Sequence, residues 1–581
     1  MPVVNDDSWR LRSFTAAVVF AMAGAGVAQD RVSQTVHNLS AGGPGQLRAA
    51  AESQVCIFCH APHHTRGVTP LWNRELPVAS YQIYQSSTLD ALPGQPTGAS
   101  KLCLSCHDGT IALGNVLSRP DQIRMSGGDF IPSGLTNLGT DLSDDHPISF
   151  HYTPGIAASD IQLVSPSALP AEVRLDASGQ MQCTSCHDAH HNVYGKFLVM
   201  RLEFGALCIA CHDMEGWDAS PHRTSGLAVA GSAGGGASPR SDWPFNTVAE
   251  NACRSCHRPH GAGGHERLLI FETEEDNCLG CHDGQFARTN IRSEIDKASA
   301  HDPRRYTLVH DPAEARGGHG PHVECSDCHN PHAAVHQPAG REYVQLGATL
   351  ANTKGVTLAG SPTDKSQYEY EVCLRCHGDA AVPVARGVQR QAQTNNLRLK
   401  FSVTNPSYHP VAFSSPSADT PSLGPGLSRG DLIRCTDCHN NDSGARAGGG
   451  GPDGPHGSIY DFLLERNYSV LDDSVESEYE YALCYKCHQR SSILADRSFP
   501  DHRRHIVDER TSCSVCHDPH GISSTQAAGS NHTHLINFDT RVVRPEPGSN
   551  RLEFRDLGTL AGSCTLVCHG ATHINQEYGR N

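Results

Sequence analysis

Cysteine pairs two residues apart, each followed at once by histidine, recur along this chain, and that spacing is what covalent attachment of a porphyrin requires. Eleven pairs have the form Cys-x-x-Cys-His. In the first half of the chain they are Cys56, Cys59 and His60; Cys103, Cys106 and His107; Cys183, Cys186 and His187; Cys208, Cys211 and His212; Cys253, Cys256 and His257; and Cys278, Cys281 and His282. The second half adds Cys325, Cys328 and His329; Cys373, Cys376 and His377; Cys435, Cys438 and His439; Cys484, Cys487 and His488; and Cys513, Cys516 and His517. A last motif, Cys564, Cys568 and His569 in CTLVCH, carries one extra residue between its thiols, and all 24 cysteines are then used. Two thiols add across the two vinyl groups of one haem, and the adjacent histidine becomes the proximal ligand of its iron. Disulfides and zinc sites also use cysteine, but neither asks for a histidine after every second one. The expected cofactor is haem c, twelve copies, or eleven if the CTLVCH site is empty: its extra residue either bulges out of the attachment loop or marks a lost site.

A second set of histidines is placed to close the other face of each iron. Odd-numbered motifs are mostly followed by a histidine three residues beyond the proximal one: His63, His190, His260, His332 and His520. Such a residue cannot reach round its own macrocycle, so it caps a neighbouring iron. Each odd motif also has a histidine upstream, and His37, His146, His222, His310, His409 and His505 are the candidates. In the fifth unit His439 is followed by Asn440, Asn441 and Asp442, and His456 is the substitute ligand there. Competitors are His301, His319, His322, His502, His534 and His573, while His64 and His191 stand beside preferred residues. Of 36 histidines, 12 are proximal and 24 remain for 12 distal positions, so half are solvent-exposed or core residues. Methionine cannot serve instead, since only Met125, Met181, Met200 and Met214 follow the leader. Paired imidazoles give lower potentials than Met/His ligation.

These residues must be positioned by a chain that is poor in aromatics and rich in glycine and proline. The spacing therefore predicts a mostly irregular fold, with short α-helices around the motifs, a few short β-strands, and haem in place of an aliphatic core. The repeats divide it into a leader, 1–28, and six dihaem units, 29–120, 121–215, 216–290, 291–385, 386–492 and 493–581. Ser225 to Pro244, Ser414 to Gly430 and Gly444 to Gly457 read as linkers. A β-hairpin is expected where His534–Val543 and Arg551–Phe554 flank PEPGSN. Arg10 and Arg12 precede an apolar stretch too short to span a bilayer, with small residues Gly26 and Ala28 at a cleavage point, so the leader reads as a secretory signal. The net charge of −16 disfavours nucleic acid and anionic membrane as partners.

The alternating motifs resemble the doubled-CXXCH multihaem cytochromes c, including the outer-surface and periplasmic cytochromes of metal-respiring bacteria. The resemblance covers nearly all the chain beyond the leader. It extends past the motifs to VHNLSAGGPG, PLWNR, KLCLSCHDGT, DDHPISF and the closing HLINFDTRVV…LEFRDLG…CTLVCHG. It implies a haem wire for respiration on external acceptors, in the periplasm, at the outer membrane or outside the cell. Its partners would be periplasmic or inner-membrane redox proteins, a porin-like outer-membrane barrel, or other copies of itself; the chain is not read as an integral membrane protein. The leading function is an electron carrier without substrate chemistry of its own. Two others compete: a multihaem oxidoreductase acting on a small inorganic oxyanion at one open iron, in CTLVCH or the fifth unit, and a structural subunit of a haem filament. No P-loop or dinucleotide fingerprint occurs.

Overall fold

The computed structural model describes residues 31–63, 71–229, 243–305, 322–335, 346–379, 387–417, 420–527 and 529–579. The leader, His64, His310 and His319 lie outside them. Each of the first eleven motifs winds into a single helical turn. Outside the longer helices the histidine N–H donates to the carbonyl of the first cysteine, from His60 to Cys56 at 2.7 Å and from His517 to Cys513 at 2.9 Å. Residues three apart on such a turn have Cβ atoms about 5–6 Å from each other. Both thiols therefore stand on one side, with the histidine closing the turn. Several turns stop there, as in Cys183–Cys186, Cys325–Cys328 and Cys513–Cys516. Two even-numbered motifs end longer helices, Gly98–His107 and Glu369–His377.

Between these turns the chain is mostly irregular, and short strand pairs staple it. Ser299–Ala300 pairs antiparallel with Gly457–Ser458, and Phe150–His151 with Gln180–Met181. Hydrophobic clusters are small. One gathers Val515, Phe538, Val543, Phe554 and Leu566, another Ala91, Phe150, Tyr152 and Met181. The larger spaces are two cavities of about 3420 and 1670 Å³, lined by motif cysteines and imidazoles, including Cys59, His107 and His212 in the first and Cys438, His488 and His517 in the second. Side chains alone do not fill the middle of this protein.

The C-terminus differs. Ala561–Cys568 is the central strand of a four-stranded sheet: Glu553–Gly558 and Val543–Arg544 share one of its edges, and Ala571–Tyr578 takes the other. The hairpin expected across PEPGSN is reduced to one bridge, Glu546 to Arg551, because both flanking strands pair with Ala561–Cys568 instead. Residues just after His534 are not strand, since His534 and Leu535 take left-handed φ of 54° and 62°. Among the described residues no helix is long and apolar enough to cross a membrane.

Candidate haem-binding sites

Every proximal histidine of the first eleven motifs faces a second imidazole across a narrow gap. Ring centroids are 6.1 Å apart in His60 and His190, 6.2 Å in His37 and His107, 6.1 Å in His187 and His260, and 6.4 Å in His146 and His212. The series continues with His257 and His332, His222 and His282, and His301 and His377 at 6.2 Å, and His329 and His456 at 5.9 Å. It closes with His439 and His520 at 6.0 Å, and His409 with His488 and His502 with His517 at 6.4 Å. A metal–nitrogen bond of about 2.0 Å on each side, plus roughly 1.1 Å from each nitrogen to its ring centre, places two ligating imidazoles about 6 Å apart. The observed separations fit an iron between them.

The backbone sets the proximal rings. Downstream of five odd-numbered motifs the chain returns and bridges the proximal histidine, at Trp72, Leu198, Leu269, Leu464 and Ile536. In four of these returns two successive residues are left-handed: Lys196 and Phe197, Arg267 and Leu268, Phe462 and Leu463, His534 and Leu535. The first carbonyl of each couple accepts from Nδ1 of the proximal ring, at 2.9 Å for His187, 2.8 Å for His257, 2.7 Å for His439 and 2.9 Å for His517. A non-glycine residue held there costs on the order of 1–3 kcal/mol, a strain that persists where surrounding structure fixes a functional group. With Nδ1 engaged, Nε2 is the nitrogen left to bind metal.

The facing rings come from two places. Trailing histidines reach back two motifs, so that His190 of the third serves the first, His260 the third, His332 the fifth and His520 the ninth. Even-numbered motifs take an upstream histidine instead: His37, His146, His222, His301 or His409. The two kinds are locked together. His37 Nδ1 donates to the carbonyl of Ala189 and His222 Nδ1 to that of Pro331, each at 2.9 Å, and His409 Nδ1 to that of Pro519; each carbonyl immediately precedes a trailing histidine. The backbone N–H of His146 donates to Pro259, and that of His301 to His456.

Departures from the expected set have local causes. After His439 the Asn-Asn-Asp segment folds inward: Asn440 and Asn441 are fully buried, and Lys297 Nζ donates to Asn441 at 2.6 Å and Asp442 at 2.8 Å. The glycine-rich stretch expected to be a linker then turns back and delivers His456 to His329, with Gly457 so close to Glu294 that a Cβ would lie 1.7 Å from its carbonyl oxygen. His63 is exposed, since no motif stands two places before its own. His505 lies beside Phe499 at 5.7 Å, and His502, one helical step earlier, faces His517 in its stead. His301 fills the position expected of His310 because the Ser299–Ala300 strand holds it next to His456. Proximity to a motif in sequence does not reveal which of two histidines the strand pairing will seat.

Consecutive motifs touch in chain order. First cysteines of neighbouring units lie close enough to shift each other's titration, Cys103 and Cys183, Cys208 and Cys253, Cys278 and Cys325, Cys373 and Cys435, and Cys484 and Cys513. Within units Cys59 lies in the field of Cys106, Cys186 of Cys211, Cys328 of Cys373 and Cys438 of Cys487, and burial pushes Cys59, Cys186 and Cys438 up to about 12. No cysteine is bridged to another. Burial also drives His212, His282, His301, His488, His502 and His517 down to about 4, and His332, His456 and His520 to about 3. Near pH 7 these rings are neutral, the form that binds metal.

The twelfth motif does not fit the same attachment. Cys564 and Cys568 lie on one strand, Ala561–Cys568, where four residues span about 13 Å, far from the spacing of a helical turn. His569 Nε2 is bonded to Asp472 at 2.7 Å instead of facing a ring.

Two stretches, residues 177–216 and 246–287, match the family model of the doubled CXXCH motif. The chain is similar to the multiheme cytochrome MtrA of Shewanella baltica, with 25% identity over 27% of this chain and 37% of that protein. It is also similar to the C-type polyheme cytochrome OmcB of Geobacter sulfurreducens, with 24% identity over 48% of this chain and 41% of that one. The chain spans less than half the length of these curated relatives.

Proposed function

Because this chain is a multihaem c-type cytochrome, we propose that it conducts electrons along eleven bis-histidine haems that follow one another in the order of their motifs. The eleven facing imidazole pairs are the observation that carries this reading. Haem, once attached, supplies the one-electron chemistry. The paired cysteines would fasten each group on its helical turn, and the proximal histidine, held through Nδ1 in motifs such as those of His187, His257, His439 and His517, would offer Nε2 to the iron. The distal histidine closes the other face and excludes water and small ligands, which suits transfer and leaves no open position in these eleven sites for substrate chemistry. Cysteines of successive motifs lie near one another, so haems fastened to them would be neighbours and could pass an electron from unit to unit.

The six-unit plan belongs to the same proposal, with a correction to its boundaries: each of the first five units is completed by a histidine from the unit after it, and in the sixth His502 takes that place. The resemblance and the leader support work beyond the cytoplasmic membrane, with redox proteins or an outer-membrane barrel as partners, and the net charge of −16 suits partners bearing basic patches. Intact-mass measurement of the purified holoprotein tests the count, and low-temperature EPR of the same sample tests the ligation. Eleven haems with low-spin iron throughout are expected. A twelfth haem would refute the count, and stoichiometric carbon monoxide binding at most irons would refute the wire.

A further inference from the structure

The eleven ring pairs do not share one geometry. Their planes are near parallel in the first, fifth, seventh and ninth motifs, at 16° for His60 and His190, 17° for His257 and His332, 15° for His329 and His456, and 5° for His439 and His520. They are near perpendicular in the second, fourth and sixth, at 71° for His37 and His107, 76° for His146 and His212, and 83° for His222 and His282. The other four pairs fall between, at 39°, 39°, 44° and 51°. This division follows the source of the facing ring. Near-parallel pairs are capped from a later unit, near-perpendicular pairs by a histidine upstream in the same unit.

Several of these rings are held through Nδ1. Along the body these partners are mostly backbone carbonyls, such as Ala189 for His37 and Pro331 for His222. At the sixth motif the partner of the proximal ring is a side chain, Thr289, whose Oγ1 is 2.9 Å from His282 Nδ1. That ring stands at 83° to His222, the most crossed of the eleven pairs.

We propose that seven of the haems form two electronic classes interleaved along the chain, with the other four between them, and that Thr289 is a positioning residue that sets the class of the sixth. This rests on the bis-histidine reading above. An imidazole interacts through its π system with the iron d orbital that lies across its plane. Parallel rings act on the same member of the dxz and dyz pair and split it; crossed rings act on both and leave them close in energy. In low-spin ferric iron the electron hole occupies this pair, so the splitting is read directly in the magnetic anisotropy. A larger split places the hole in a higher orbital and favours the ferric state, so parallel sites have the lower potentials. The axial ligand is thus tuned by orientation as well as by identity. Lower- and higher-potential sites stand side by side, and the wire is stepped instead of level.

Quantitative EPR of the oxidised holoprotein tests this. Steep low-field signals are expected from three sites and resolved rhombic signals from four, with the remaining four between them. Thr289→Val keeps the shape of the side chain and removes its oxygen. Steep intensity should then fall by about one third, one of the three crossed pairs, with haem number and total low-spin iron unchanged, and Thr289→Ser should restore it. A spectrum with no steep component, or one unmoved by Thr289→Val, overturns the proposal while leaving low-spin ligation intact. High-spin iron at most sites would instead remove the bis-histidine reading and this proposal with it.

Discussion

The motif at the C-terminus and the eleven before it contain the same chemical groups, yet one region winds its thiols into a turn and the other stretches them along a strand. Spacing alone does not explain this, because residues four apart also share a helix face. The intervening residues do. Thr565, Leu566 and Val567 favour a strand, and Thr565 and Leu566 are both buried at 5% exposure, Leu566 in the cluster with Phe538 and Phe554. A side-chain core wins there, and it opens the thiols. Elsewhere two residues separate the thiols, polar in CTSCH and CRSCH, and even where they join a hydrophobic cluster, as Ile57 and Phe58 do and as Val515 does beside Leu566, the turn stays closed.

Thiol removal divides the two regions most sharply. Replacing Cys183 and Cys186 with serine should lower the intact mass by one haem, whereas replacing Cys564 and Cys568 should leave the mass of bound haem unchanged. Next in size is Gly457→Ala, whose Cβ would press on Glu294 and part the strand pair that seats His301 and His456. EPR should show two irons with altered ligation, at the seventh and eighth motifs, and a normal spectrum would count against that strand pair as the clamp. His190→Ala should create one high-spin iron at the first motif, although the residue belongs to the third. Resonance Raman spectroscopy combined with loss of the first haem through Cys56→Ser and Cys59→Ser identifies the site, because the high-spin band should then disappear. The gentlest is Phe554→Ala in the terminal sheet, a loss of about 3–5 kcal/mol from its aliphatic cluster. Unfolding of the C-terminal region, followed by amide exchange, should move to lower denaturant while low-spin absorption of the first ten motifs holds.

The attachment turns were legible because five consecutive residues carry all of their chemistry. That the trailing histidines face the ring of another motif was legible, but their target two motifs back was not, since it depends on how adjacent units nest. His456 could be named from the missing trailing histidine, while the strand that brings it to His329 involves only Gly457 and Ser458, too short a signal to read. His301 and His502 stood among several equivalent histidines, and only tertiary placement chose them. The left-handed couples such as Arg267 and Leu268 left no mark in composition, because nothing in a non-glycine side chain announces that its backbone will be held there. CTLVCH shows the opposite case: the local motif argues for an attachment turn, and the packing of Leu566 with Phe554 draws its thiols along a strand instead.

The backward reach of His190, His260, His332 and His520 also bears on how the protein matures. A chain delivered from its N-terminus presents Cys56, Cys59 and His60 well before residue 190 exists to complete the coordination of their iron. On the proposed ligation, if haem is fastened as each motif emerges, every odd-numbered centre up to the ninth passes through an interval in which its second ligand has yet to arrive. Assembly becomes a relay in which each newly made segment extinguishes the reactivity of an earlier one, and a stalled or shortened product would carry an exposed iron near its unfinished end.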